Sequence, residues 1–216
     1  KAGYLQVTRL NGHAPSLLVL PEANTSFEAY NPLLDDPTPR GIVFEGFYEW
    51  MALSKAYAEK EWKQADPWNK PTSIILQPGE TSTYGVQLIL SGTPRDIETT
   101  LRKNNRPVAI GIPGYVVPTN VKAKLFLEYK SPVQQIEVAP KEALALTKIT
   151  ATDKSIQAYA VAAKLFGRAR VTITYKDGMQ QVVHYKVINP ERKTIEAFGN
   201  FSTTQQWYDN KNDPFH

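Results

Sequence analysis

Two glutamates in the stretch FEGFYEW, Glu45 and Glu49, come closest to a paired-carboxylate arrangement. In glycosidases the acid and base carboxylates stand about 5 to 10 Å apart. Four residues span about 6 Å along a helix and about 13 Å along a strand, so only a helix would fit. Gly46 and the bulky aromatic residues around it favour a strand instead. The pair alone therefore does not predict a catalytic dyad, and the catalytic residues stay unknown.

Aromatic residues are dense in the same part of the chain. Seven of them lie between residues 44 and 68, and these include three of the chain's four tryptophans. Such rings stack on the C–H faces of sugars, while neighbouring carboxylates bind the hydroxyl groups. The alternative is a core strand followed by a packed loop. The residues predicted to contact a glycan are Tyr48, Glu45, Glu49, Trp62 and Trp68.

The three tryptophans of this segment are predicted to differ. In an extended strand, Tyr48 and Trp50 share the face opposite Glu49. Trp50 lies in the regular part of the strand, so we expect it to pack in the core. Trp62 and Trp68 flank a polar stretch that is typical of a loop, where aromatic side chains can face a partner.

Other kinds of reactive site find no support in the sequence. It contains no G-x-S-x-G, Walker A, G-x-G-x-x-G or H-E-x-x-H motif. His13, His184 and His216 lie far apart in different predicted elements, which favours loop and strand histidines over a metal site. The absence of cysteine excludes disulfides and thiolate ligands. We expect neither a metal nor a cofactor.

The composition indicates a folded chain without a strongly charged partner. Hydrophobic residues at 42% and charged residues at 21% are ordinary globular values. The 25 basic and 21 acidic residues are mixed along the chain, and no basic stripe suited to nucleic acid is present. No apolar run approaches the roughly 18 to 20 residues that a membrane helix requires. Neither nucleic acid nor a membrane is an expected partner.

Strand and turn signals dominate the elements that must position these residues. SIIL and YGVQLIL, separated by the turn QPGE, predict a hairpin within residues 72–90. Thr93, Pro94 and Asp96 predict the start of a short helix over residues 94–104, and part of 53–62 is a second candidate. Asp177-Gly178 between two alternating runs predicts another hairpin. Residues 115–190 suit a sandwich of about seven strands.

Many short motifs carry a resemblance to a known family. They are AGYLQVTRLNGH, FEAYNPL, DPTPR, FEGFYEWM, SKAYAE, EW, PWNKPTS, LQPGET, RPVAIGIPGYVVP, LFGRARVTITYKDG, VHYKVI and TTQQWYDNKNDPF. With them, essentially the whole chain resembles a family of large secreted, mainly fungal proteins, classed as six-hairpin-glycosidase-like and carrying a domain long described as of unknown function. The resemblance implies a secreted, extracellular glycoprotein with a polysaccharide as substrate.

The resemblance also implies a domain order. Residues 1–114 would be the C-terminal part of a large, supersandwich-like β-sandwich with an aromatic loop insertion. Residues 115–190 would be a small immunoglobulin-like β-sandwich, and 191–216 a linker into an (α/α)6 toroid that this chain lacks. The chain is then a mainly β fragment, or one partner, of a glycoside hydrolase or polysaccharide lyase. Its catalytic acids would lie in a helical domain or second chain of the same protein, so we expect the isolated chain to be inactive.

Two other functions stay open at this point: a stand-alone glycan-binding module and a purely structural β protein. The resemblance to secreted proteins gives weight to two N-x-[ST] sequons, at Asn24 and Asn200, as glycosylation sites. Asn24 lies in a polar turn after Pro21 and is the preferred acceptor.

Overall fold

The computed structural model of the chain describes residues 2–23, 25–32, 48–153 and 155–214. Strand accounts for 41% of the described residues and helix for 15%. Within the described residues, the strands form one sheet of three strands, two of four and one of two. The predicted fold class, a mainly β chain of sandwich type, is confirmed.

The described residues form thirteen strands and three α-helices. In chain order the strands are β1 (Leu5–Val7), β2 (Ser16–Ala23), β3 (Ala29–Pro32), β4 (Tyr48–Met51), β5 (Tyr84–Ser91), β6 (Val108–Ile112), β7 (Val116–Pro118), β8 (Lys122–Glu128), β9 (Val133–Ala139), β10 (Leu144–Ile149), β11 (Ile156–Ala163), β12 (Gly167–Tyr175) and β13 (Gln180–Ile188). The helices are α1 (Lys55–Glu59), α2 (Ile97–Lys103), which follows a 3-10 turn at Pro94–Asp96, and α3 (Glu191–Thr204).

The two predicted helical regions are confirmed. At the 3-10 turn before α2, the Thr93 backbone N–H donates to the Asp96 carboxylate at 2.9 Å, and the Thr93 hydroxyl donates to it at 2.7 Å. Pro94 occupies the first position of the turn, where the missing N–H costs nothing. Because these contacts lie within four residues of each other, the sequence alone locates the start of this helical region.

α3 is a helix outside the regions near 94–104 and 53–62, where the sequence mainly predicts helix. The sequence after residue 190 predicts a polar, aromatic tail, yet a helix of 14 residues forms there. Its apolar residues Ile195, Phe198 and Phe201 recur every three residues, a helical spacing too brief to stand out among polar neighbours. All three are exposed. No helix in the described part of the chain is long and apolar enough to cross a membrane.

The three-stranded sheet has the order β1-β2-β5. β2 pairs antiparallel with β5 over eight residues, from Ser16 opposite Ser91 to Ala23 opposite Tyr84. The predicted hairpin between SIIL and YGVQLIL is therefore wrong, because residues 72–83 form no strand. β2 offers β5 a ladder twice as long as the four residues of SIIL could. The turn itself is present, with the Glu80 N–H donating to the Gln77 carbonyl at 2.9 Å.

The four-stranded sheets have the orders β10-β11-β8-β6 and β7-β13-β12-β9. Strands β7 to β13 supply the seven strands predicted for this region. The predicted hairpin at Asp177-Gly178 is confirmed: Gly178 has a φ of 82° and donates its N–H to the Tyr175 carbonyl at 2.9 Å. The Tyr129 hydroxyl donates to the Asp177 carboxylate at 2.9 Å. Burial and then this hydrogen bond raise the pKa of Tyr129 to about 12.

Residue contacts divide the chain into two compact units. The first consists of Lys1–Ala109, Leu127–Glu137 and Arg170–Val183, and the second of Ile110–Phe126, Val138–Ala169 and His184–His216. Fully buried side chains of the first unit include Leu18, Leu20, Leu127, Val171, Ile173 and Tyr175, and those of the second include Val117, Leu125, Val161 and Val187. The domain boundary near Gly114 stays a prediction.

Candidate functional site

The aromatic segment is organised by the two-stranded sheet of β3 and β4. The strands pair antiparallel, with Tyr30 opposite Trp50 and Pro32 opposite Tyr48. Directly opposite residues share a face of a sheet, as do residues two apart on one strand. Tyr30, Tyr48 and Trp50 therefore share one face, and Glu49 lies on the other, as the alternation predicted.

The rings on this face form one aromatic shelf, defined here as Phe27, Tyr30, Tyr48 and Trp50. The Tyr30 ring lies 5.1 Å from Trp50 and 5.9 Å from Tyr48, measured between centroids, and Phe27 lies 5.9 Å from Trp50, edge to face. Tyr30, Tyr48 and Trp50 are 60%, 45% and 47% exposed. The shelf is thus a row of contacting rings with much of their surface open.

The shelf shows that the prediction of a core position for Trp50 is wrong. The residue of β4 that packs inside is the next one, Met51, which is buried. Regular alternation sends Trp50 to the opposite face, and a two-stranded sheet leaves that face uncovered. Of the predicted contact residues, Tyr48 belongs to the shelf, whereas Glu49 is half-buried on the reverse face, opposite Asn31.

Glu28, immediately before β3, holds Ser54 and Thr72 in place next to the shelf strands. Its buried carboxylate accepts hydrogen bonds from the Ser54 N–H at 2.9 Å, the Ser54 hydroxyl at 2.8 Å, the Thr72 N–H at 3.0 Å and the Thr72 hydroxyl. Four donors satisfy the buried charge, which an apolar surrounding alone would not tolerate. The Glu28 N–H also donates to the Met51 carbonyl at 2.9 Å, so one residue ties β4, the start of α1 and Thr72 together.

The loop that carries Trp68 is held at both of its sides. The Asn69 side-chain amide donates to the Glu28 carbonyl at 3.0 Å and to the Phe27 carbonyl at 3.3 Å. The Arg170 guanidinium donates to the carbonyls of Pro67 and Trp68 at 3.2 and 3.5 Å. Trp68 is exposed, as predicted, and its backbone is fixed relative to the residues that support the shelf.

Trp62 has different surroundings from Trp68. Its ring stacks on Tyr57 with 5.0 Å between centroids and 29° between planes, and it is half-buried. The Trp62 N–H donates to the Tyr57 carbonyl at 2.9 Å, which closes the turn after α1. These contacts give Trp62 a packing role within its own loop, and its predicted contact with glycan stays a prediction.

The predicted site residues that remain are Glu45, Asn24 and Asn200. Glu45 and Asn24 lie outside the described residues. Asn200 is exposed near the end of α3. Among the described residues, no group of three or more His, Cys, Asp or Glu side chains could hold a metal ion.

Sequence reasoning missed Phe27, Glu28 and Tyr30. Phe27 and Tyr30 are three residues apart, a spacing that does not match the alternation of a strand, and nothing local shows that residues 29–32 pair with 48–51. The buried role of Glu28 depends on Ser54 and Thr72, which lie 26 and 44 residues away. Such partners are known only once the chain is folded.

Comparisons with known proteins were made for the whole chain. No curated protein matches the sequence. A solved structure described as a polysaccharide lyase matches 97% of this chain with a TM-score of 0.65 and 14% sequence identity, and the match spans 28% of that chain. At this identity the likeness shows a shared fold. A family model described as a family of unknown function, DUF5695, matches residues 1–216, so the chain belongs to that family.

Proposed function

We propose that this chain is the β-sandwich portion of a secreted carbohydrate-active enzyme that acts on a polysaccharide. The observation that carries the proposal is the aromatic shelf, with three contacting and partly exposed rings on one face of the β3–β4 sheet. Aromatic rings offer sugars an apolar face together with polar tips. A run of such rings suits successive sugar units of a glycan.

The support beneath the shelf favours binding over simple exposure. Stacking is strongest when rings are held in place before the ligand arrives, because less side-chain entropy is then lost. Six hydrogen bonds from Ser54, Thr72 and the Asn69 amide hold Phe27 and Glu28 in place, and the Glu28 N–H joins them to β4 at Met51. We propose that Trp68, on the same supported loop, extends the contact surface.

The proposed role is to support and line a cleft whose catalytic groups lie elsewhere in the protein. The fold likeness to a polysaccharide lyase supports an association with polysaccharide chemistry. The acid and base would belong to a helical domain or second chain of the same protein, of the hydrolase or lyase type. Glu45 and Glu49 are proposed as glycan-contacting carboxylates, with no catalytic role assigned. Because Glu49 lies on the face opposite the shelf, it would contact a part of the glycan that does not stack on the shelf.

An activity assay on two preparations tests the enzyme part of the proposal. The isolated 216-residue chain is expected to release neither reducing ends nor unsaturated sugars, whereas the native protein at its natural length releases one of them. Intact-mass and gel analysis of the native protein would show the additional helical part. A native protein that binds glycans without cleaving them would support the alternative, a glycan-binding module.

Secretion and glycosylation form a separate part of the proposal. Asn200 is exposed, and glycosylation there or at Asn24 would follow from passage through a secretory pathway. Treatment of protein from a eukaryotic secretory host with an endoglycosidase should lower its intact mass. An unchanged mass would contradict this part and leave glycan binding untouched.

A further inference from the structure

The sheet of β1, β2 and β5 carries aliphatic residues on the face opposite its buried one. The strand register places Leu5 and Val7 of β1 opposite Val19 and Leu17 of β2, and Leu88 and Leu90 of β5 opposite the same two residues. Together with Val86 they form one aliphatic face without a charged side chain. The face ends at the buried Pro21, opposite Val86, and at Tyr84, opposite Ala23. The members of the aliphatic face are Leu5, Val7, Leu17, Val19, Val86, Leu88 and Leu90.

Much of the aliphatic face is open to solvent. Val7, Val86, Leu88 and Leu90 are 54%, 50%, 65% and 66% exposed. The reverse face of the same sheet holds Leu18 and Leu20, which are fully buried. An antiparallel sheet with one solvated face alternates apolar with polar residues. Apolar residues on both faces are typical of a sheet that is covered on both sides.

The edge of the sheet leads to the same conclusion. β5 is an edge strand of eight residues, YGVQLILS, and it contains neither a charged residue nor a proline. Folded proteins protect long exposed edges with charges, prolines or a covering element, because unpaired strand edges associate with other chains. β5 has no such protection in its own sequence.

We infer that a second β-sheet with an apolar inner face, supplied by a further part of the same polypeptide, packs on the aliphatic face. Two sheets packed face to face lie about 10 Å apart and interdigitate aliphatic side chains from both. Apart from Tyr84 at one end, opposite Ala23, the face lacks the rings and polar tips that suit a sugar, so a protein sheet is the occupant that its chemistry fits. The inference is independent of the proposed glycan binding.

The size of the face decides between the same polypeptide and a second copy of the chain. Two strands of eight residues and one of three, with about 3.3 Å rise per residue and 4.8 Å spacing, give a face of roughly 300 Å². A stable interface between separate proteins needs about 800 Å² per partner. A covalently connected sheet does not pay the full cost of association. The matching fold also occurs inside a much longer chain, of which it spans 28%.

A charge placed on the face tests the inference, with a matched charge on the same strand as control. The variants are Leu88→Glu and Gln87→Glu, made both in the 216-residue chain and in the native protein at its natural length. In the 216-residue chain, Leu88→Glu should lower the fluorescence of a bound anilinonaphthalene sulfonate dye and leave Tm within about 2 °C, because Leu88 is exposed there. Gln87→Glu should change neither.

The native-length protein should respond in the opposite way. Leu88→Glu would bury a charge between sheets and lower Tm by more than about 5 °C, whereas Gln87→Glu would not. A native-length protein that tolerates Leu88→Glu would overturn the inference. So would a stable dimer of the 216-residue chain that Leu88→Glu dissociates, since a second copy would then be the occupant. A 216-residue chain that Leu88→Glu unfolds would show that its own residues already cover the face.

Discussion

The aliphatic face of the β1-β2-β5 sheet and the aromatic shelf of the β3–β4 sheet both expose apolar side chains, but of different kinds. The first consists of Leu and Val residues alone, on strands of up to eight residues. The second consists of rings, two of them tyrosines, on strands of four residues. Exposure by itself therefore does not identify a partner, whereas the chemistry of the exposed groups does.

The difference follows from what each surface can offer water and a ligand. A Leu side chain has no polar atom, so its only favourable partner is another apolar surface. A Tyr or Trp ring has an apolar face and a polar tip, which suits a partner that is itself part apolar and part hydroxylated. We therefore assign a protein sheet to the aliphatic face and a glycan to the shelf.

The largest effect is expected inside the β1-β2-β5 sheet, where the two sides of one sheet can be compared. Leu18→Ala removes a fully buried side chain and should lower the free energy of unfolding by about 2 to 5 kcal/mol. Leu88→Ala on the aliphatic face of the 216-residue chain should change it by less than about 0.5 kcal/mol. Urea unfolding of both variants measures the contrast. Equal losses would mean that both sides of the sheet are covered within this chain.

Removing the support of the shelf should have the next largest effect. Glu28→Ala leaves the donors of Ser54 and Thr72 without their acceptor and should lower the free energy of unfolding by about 2 to 3 kcal/mol. Glycan binding should weaken as well, because Ser54, three residues after β4, and Thr72 lose the carboxylate that holds them at the start of β3.

The matched control is Glu59→Gln, a change at an exposed carboxylate 3.6 Å from the Lys55 ammonium. It should alter stability by less than about 0.5 kcal/mol. Full stability of Glu28→Ala, measured by the same urea titration, would show that the carboxylate does not hold the loop.

The ring of Trp50 should matter more for binding than for stability. Trp50→Ala removes contacts with Tyr30 and Phe27 and should cost about 1 kcal/mol of stability. Loss of one stacking ring should weaken glycan binding about tenfold. Calorimetric titration with an oligosaccharide measures the binding, and urea unfolding of the same variant measures the stability. A loss of 3 kcal/mol or more in stability would return Trp50 to the core, where the sequence alone places it.

The smallest effect is expected when the hydroxyl group of a shelf tyrosine is removed and its ring is kept. Tyr30→Phe keeps the ring and removes one hydrogen-bonding tip, so glycan binding should weaken by about fivefold with stability unchanged. The same titration measures it. Binding as weak as that of Tyr30→Ala would mean that the hydroxyl, and not the stacking, carries the contact.

Local signals explain which parts of the fold the sequence predicted. Thr93, Pro94 and Asp96 act within four residues, and Asp177-Gly178 within two, so both features could be located without knowledge of the fold. Both β2 and the segment SIIL have the pattern of a strand that could pair with β5. Periodicity alone does not show which of the two pairs with it.

The candidate site was predicted in part for the same reason. Density of aromatic residues located the segment, and alternation placed Tyr48 and Trp50 on one face. Which face is buried depends on what covers it, and the sequence does not show this. For that reason the sequence alone predicts a core position for Trp50, which the structure exposes. Tyr30 joins the shelf through strand pairing across residues 33–47, and no local pattern reports that pairing.

Affinity gel electrophoresis of the 216-residue chain tests most directly whether the aromatic shelf contacts a glycan. Gels containing a panel of neutral and acidic polysaccharides would be run with the unaltered chain, a Tyr30→Ala/Trp50→Ala double variant and Leu88→Glu. We predict that at least one polysaccharide retards the unaltered chain and Leu88→Glu equally, and that the double variant migrates as it does in a gel without polysaccharide. Equal retardation of all three proteins, or retardation of none by any polysaccharide, would contradict the assignment of the shelf.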